Sequence, residues 1–241
     1  GRPREDWLDL STGISPYPYP VPALPSDAWH RLPEHSDDLV AAACRYYGAQ
    51  TILPVAGTQA AIQVLPFLRA PCSVALVQPS YAEHRHHWQR AGHEIVDVAF
   101  DQLHAAVETC DVVVVVNPNN PTGQSVAAQT LVQWADELAV RGGWLIVDEA
   151  FGEVHAEAGV ASMADKHPGL IALRSVGKFF GLAGLRLGFV AAPSSLLLQL
   201  ADRLGPWTVS GPAQYIGAIA LTDVAWQQSI RLQLREDGQR L

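Results

Sequence analysis

Five consecutive valines, Val112–Val116, constrain the fold of this chain more than any other stretch. Successive side chains of a strand point to opposite faces, so a strand with one wet face alternates apolar and polar residues. An unbroken valine run implies burial on both faces, with helices layered above and below. Other short apolar runs follow the same plan: Ile52–Val55, Val74–Val77, Ile95–Val98, Leu145–Val147, Leu170–Leu173 and Leu187–Ala191. Helical spacing fills the intervals Gln59–Leu68, Tyr81–Ala91, Ala127–Val140 and Ser194–Leu204. Upstream, Ser36–Tyr47 reads as an amphipathic helix through Leu39, Val40, Ala43 and Tyr47, stopped by Gly48. Strand and helix in regular turn predict an α/β fold, a three-layer α/β/α sandwich on a mostly parallel seven-stranded sheet. Ahead of it, Pro16, Pro18, Pro20, Pro22 and Pro25 forbid helix and predict an extended arm.

Bulk properties narrow the function. Hydrophobic residues make up 49% and charged residues 17%, which suits a packed core. A net charge of -8 argues against nucleic acid as a partner, since phosphate neutralisation needs clustered cations. No apolar run is long enough for a bilayer, so no membrane partner is expected. Cys44, Cys72 and Cys110 match neither a metal spacing nor a disulfide framework, which points to a reducing, cytoplasmic setting.

Ligands of parallel sheets bind beyond the carboxyl ends of the strands. Polar and glycine-bearing segments follow the apolar runs here: Gly57-Thr58-Gln59, Pro79-Ser80-Tyr81, Asn117–Gly123, Asp148-Glu149-Ala150 and Ser175–Lys178. Gly57-Thr58-Gln59 opens a helix, where backbone amides favour an anion such as phosphate; a plain strand-to-helix turn is the alternative. Asn120 lies in a loop stiffened by Pro118, Pro121 and Gly123, either presenting its amide to a ligand or simply rigid. Asp148 and Glu149 after a buried strand resemble the magnesium strand of a P-loop NTPase. That reading fails: the Gly177-Lys178 pair lies downstream, Phe179 follows it, and Ala172 stands where the first glycine belongs. Lys178, next to Phe179 and Phe180, is expected to lose hydration and become a better nucleophile toward an aldehyde. Ser175 and Arg186 flank it and suit a phosphate dianion. Glu83, His84, His86 and His87 share one predicted helix, but only His84 and His87 are spaced to face one side, no third ligand motif joins them, and a polar helix beside the cleft is the simpler reading.

In this order, Gly57-Thr58, Pro79-Ser80-Tyr81, Asn120–Gly123, Asp148-Glu149-Ala150, Ser175-x-x-Lys178 and Arg186 form a set that resembles the fold-type-I pyridoxal-phosphate (PLP) enzymes of the aspartate aminotransferase superfamily. The resemblance runs from residue 48 to about 212. It implies pyridoxal 5'-phosphate as cofactor, with its aldehyde carried on Lys178, which would also shuttle protons. Asp148 would pair with the pyridine nitrogen, Asn120 with the ring hydroxyl, and Tyr81 would stack on the ring. Gly57, Thr58, Gln59, Ser175 and Arg186 would line the phosphate end. Phe151 stands where aminotransferases usually carry a tyrosine bonded to the ring hydroxyl, a loss of ~1 kcal/mol that leaves the role to Asn120.

Among these enzymes the chain is most similar to the threonine-phosphate decarboxylases of cobalamin biosynthesis and the related histidinol-phosphate aminotransferases. Leu8–Pro16, Tyr81–His84, Gly177–Arg186 and Pro206–Ser210 carry that similarity. Leu32, where many relatives have a tyrosine reaching into the neighbouring subunit, and Ser15, in place of an asparagine, depart from the pattern. The implied reaction is decarboxylation of L-threonine O-3-phosphate to aminopropanol phosphate; the alternatives are amino transfer of the histidinol-phosphate type and a non-catalytic PLP-fold protein. The implied substrate is a small phosphorylated amino acid or amine, and the implied assembly a homodimer. The expected layout is an arm over residues 1–30, a PLP-binding domain over 31–210, and an incomplete small domain over 211–241. Relatives extend further, so with the small domain incomplete weak or absent turnover is expected of this polypeptide alone.

Overall fold

The computed structural model describes residues 3, 6, 7, 11–154 and 159–240. Leu8, Asp9 and Leu10 of the arm motif lie outside them. Seven strands form one sheet: β1 (Ile52–Val55), β2 (Ser73–Val77), β3 (Glu94–Val98), β4 (Val112–Val116), β5 (Trp144–Asp148), β6 (Leu170–Ser175) and β7 (Gly188–Ala191). Their spatial order is β1-β7-β6-β5-β4-β2-β3. β7 runs antiparallel to both β1 and β6, while the other neighbours pair in parallel. The carboxyl ends of β1, β2, β4, β5 and β6 therefore emerge along one edge, and the start of β7 joins them there.

The valine run explains the layering. Val113 and Val115 enter one core with Ala75, Leu145, Ala172 and Phe189. Val112 and Val114 enter the other with Val74, Ile146, Ile171 and Val190. Within the described residues the helices are α1 (Asp27–His30), α2 (Asp37–Tyr47), α3 (Thr58–Val64), α4 (Ala82–Arg90), α5 (Leu103–Thr109), α6 (Ala128–Ala139), α7 (Ser194–Leu204), α8 (Gly211–Thr222) and α9 (Val224–Arg240). The first core takes its helical layer from α2, α5, α6 and α8, the second from α3, α4 and α7. Ser36 caps α2 by accepting from the Leu39 amide at 3.2 Å, and Gly48 ends it in the left-handed region at φ 70°.

The helix expected over Gln59–Leu68 divides. α3 ends at Val64, and Leu65–Leu68 continues as a 3₁₀ turn, because Pro66 has no amide to give an α-helical ladder. The extended arm is present and is bound to the body. The Ser15 amide donates to Lys178 O at 3.0 Å and the Tyr19 amide to Phe180 O at 2.8 Å. Tyr17 and Tyr19 donate through their hydroxyls to Asp237 (2.8 Å) and Asp223 (3.1 Å).

Candidate active site

Three groups of side chains line the shared sheet edge. The first lies where β1, β7 and β6 end together: Val55 pairs with Gly188, and Gly188 with Ser175. Gly57 there adopts φ 75°, and a Cβ on it would stand 2.6 Å from Arg186 Nη2, so the guanidinium lies directly over the Gly57 backbone. Gly188 is as tightly placed, since its Cβ would meet the Thr58 amide nitrogen at 2.7 Å. Arg186 donates to Ala183 O at 3.2 Å and pairs with no carboxylate among the described residues. The Ser175 hydroxyl accepts from the Gly177 amide at 3.2 Å. A cation without an anion, a hydroxyl and closely packed backbone make a corner suited to phosphate.

The second group centres on Asp148, which ends β5 with 2% of its surface exposed. Its Oδ2 lies 2.9 Å from His84 Nε2, and its Oδ1 accepts from the Ala150 amide at 3.1 Å. His84 comes from α4 and carries the Tyr81 ring edge-on at 6.2 Å between centroids. The Tyr81 hydroxyl donates to Gln59 Oε1 at 3.4 Å, and Gln59 in turn donates to Glu83 and contacts His87 Nε2 at 3.3 Å. Gln59, Tyr81 and Asp148 thus belong to one connected polar wall. Burial is the largest cause raising the Tyr81 hydroxyl above its ordinary range.

The third group surrounds Lys178. Its Nζ stands 5.2 Å from the centroid of the Phe151 ring and makes no hydrogen bond or ion pair among the described residues. It faces a cavity of about 290 Å³ lined by Gly13, Ile14, Ser15, Pro16, Phe151, Glu153, Val154, Phe179 and Leu234. The aromatic environment differs from that expected. Phe180 packs in the core against Trp226, stacked at 5.5 Å, whereas the ring next to the amine is Phe151. Aromatic neighbours in sequence flank Lys178 in the chain, but the backbone turn sends Phe180 inward.

Asn120 is exposed and makes no side-chain hydrogen bond among the described residues. Its neighbour Asn119 binds Pro79 O at 3.0 Å, Thr122 Oγ1 at 2.8 Å and the Ser80 hydroxyl at 2.7 Å, tying the loop after β4 to the loop after β2. Asp148 and Lys178 do not touch; they stand on adjacent strand ends. His84 turns its imidazole to Asp148, and His87 to Glu83 and Gln59. Among the described residues no group of His, Cys, Asp or Glu is placed to hold a metal.

Sequence reasoning missed two features. His84 as the partner of Asp148 is one. The other is a buried ion-pair cluster in which Arg174 bridges Glu149 (2.9 Å) and Glu153 (3.1 Å). A charged residue at the end of the apolar run Leu170–Leu173 was its visible sign.

Comparison with known proteins places this geometry. The family model "Aminotransferase class I and II" matches residues 25–241. A threonine-phosphate decarboxylase of Pseudomonas aeruginosa is 50% identical over 239 residues, covering 99% of this chain and 72% of that protein. A histidinol-phosphate aminotransferase from Clostridium acetobutylicum superposes with a TM-score of 0.82 at 20% identity, over 97% of this chain and 75% of that one. A histidinol-phosphate aminotransferase from Sinorhizobium meliloti, solved with pyridoxal-5'-phosphate, superposes at 0.74 and 23% identity, over 89% of this chain and 62% of that one.

Proposed function

This chain belongs to the class I and II aminotransferase family, and from that premise we propose that it is a PLP-dependent enzyme that decarboxylates L-threonine O-3-phosphate to aminopropanol phosphate. The observation that carries the reading is the Lys178 amine, which has no polar partner among the described residues, on the same sheet edge as the buried Asp148 carboxylate and the Arg186 corner. The 50% identity to a threonine-phosphate decarboxylase supports the choice of reaction.

The residues present fit the cofactor. Arg186, Ser175 and the Gly57 and Thr58 amides would hold its phosphate, Asp148 its ring nitrogen, and Tyr81 and Asn120 its ring. When bound, PLP supplies an aldehyde that condenses with amines and a ring that takes up electrons from a breaking bond. Asp148 contributes a carboxylate whose direction is set by His84 and Ala150, so it meets a partner without reorganising. Lys178 Nζ holds or gives up a proton at the mouth of the cavity that Phe151 and the arm residues Gly13–Pro16 line. The choice between losing carbon dioxide and losing a proton depends on which substrate bond is held perpendicular to the cofactor ring. That pose belongs to residues of the Lys178 cavity.

The same reading extends to organisation. Residues 1–30 act as the arm, 31–210 as the cofactor domain and 211–241 as the start of a small domain. Leu32, Trp207 and Tyr215 are exposed around two hollows, which suits self-association as a homodimer. Three free cysteines suit a cytoplasmic enzyme.

The test is to supply PLP-loaded protein with threonine phosphate and, separately, with histidinol phosphate and a keto acid. Carbon dioxide release from the first, without amino transfer, is expected. Transfer from the second without gas from the first would replace decarboxylation by the aminotransferase reading.

A further inference from the structure

Phe151 owes its place under Lys178 to a short turn, and that turn is gripped by one buried cation. β5 and β6 are parallel neighbours, with Asp148 opposite Leu173 and the Glu149 amide donating to Leu173 O at 2.9 Å. Arg174, the next residue on β6, turns its guanidinium back across the end of β5. Nη1 donates to Glu149 Oε2 at 2.9 Å and Nη2 to Glu153 Oε1 at 3.1 Å. The guanidinium also lies 4.7 Å from the centre of the Tyr47 ring.

The chain closes tightly around this group. A Cβ on Gly152 would stand 2.8 Å from Arg174 Nη1, and one on Gly159 would stand 3.1 Å from it. Glu149 is held from its other oxygen by the Val160 amide at 2.8 Å. All three charged side chains have 5% exposure or less. A buried cluster with more carboxylates than cations is a poor source of stability, because desolvation opposes the Coulomb gain. What it supplies is fixed geometry: a planar fork that a lysine or an apolar side chain does not reproduce.

We propose that Arg174 is a positioning residue for the cofactor lysine: by holding Glu149 and Glu153 at either end of their turn, it sets where the Phe151 ring stands beneath Lys178 Nζ. The role rests on reading Lys178 as the cofactor lysine, but the contact itself exists without cofactor and is measured without it. A Cβ on Gly13 would come 2.7 Å from Phe151 Cε1, so the arm presses the ring from the far side. Arg174 therefore has one face of the turn to control, and the arm the other.

Lys166 and Lys178 are the two lysines of the chain, so reductive ¹³C-dimethylation yields two lysine resonances beside that of the terminal α-amine, assigned with K166R. In the cofactor-free protein the Lys178 resonance is expected upfield, shifted by the Phe151 ring current, and F151L moves it to an unshifted position. R174K and G152A are expected to lose at least half of that displacement while keeping native circular dichroism. Adding R174K to F151L is expected to change nothing further. A folded R174K or G152A with the wild-type resonance overturns the proposal. G152A adds one methyl and no charge, and it decides the matter if R174K does not fold. A chain that shows this pattern yet takes up no PLP on titration contradicts the proposed function and leaves the positioning role standing.

Discussion

Asp148 and His84 show how a single buried pair is held. Both side chains are 3% exposed and 2.9 Å apart. H84L would leave one carboxylate oxygen buried with no partner, a cost of about 1–3 kcal/mol. A lower melting temperature and PLP affinity weakened by about tenfold are therefore expected. Unchanged melting and affinity would contradict the pairing. Lys178, Asp148 and Gly57 were legible because each sits just beyond an apolar run, where a strand must end, and Arg186 because it stands just before the run Leu187–Ala191. The His84 pairing was not, since 64 positions separate its partners and no local pattern links them. The one hint was that His84, His87 and Trp88 share the buried face of an otherwise polar helix.

At the scale of elements, β2, β4, β5, β6 and β7 were legible because burial on both faces leaves a nearly unbroken apolar signature, whereas β3 at the sheet edge exposes Glu94 and Asp97 and shows a weaker one. α7 coincides with its expected span, Ser194–Leu204. α5 escaped notice: seven residues with Leu103, Ala106 and Val107 buried give too short a period to separate from a loop. The cluster joining β5 to β6 also has a pH signature. Burial pushes the Glu153 carboxyl up to about 7 from an ordinary 4.5, against the opposing pull of Arg174. Because the fold raises this value, the contribution to stability is complete below about pH 4.5 and is lost as pH rises through about 7, on the order of 3 kcal/mol in all. E153Q stays neutral throughout. Its melting temperature relative to wild type is expected to rise between pH 5 and pH 8. Parallel profiles would contradict the assignment.

For the whole molecule, the functional edge is assembled from distant parts. The arm lies between the Lys178 strand end and α9, which reaches it through Asp237 and contributes Leu234 to the Lys178 cavity. The surface around Trp207, 59% exposed, and Leu32, 63% exposed, is the proposed self-association face. Light scattering is expected to give a dimer for the wild type and a monomer for W207E; a wild-type monomer would contradict it. No helix among the described residues is long and apolar enough to cross a membrane. The proposed fold-to-function link requires one lysine to meet an aldehyde, and the chain has two lysines, Lys166 and Lys178. Incubation with PLP, borohydride reduction and peptide mass mapping test it directly. A reduced cofactor adduct on Lys178 and none on Lys166 is expected. An adduct confined to Lys166, or shared equally between them, would contradict it.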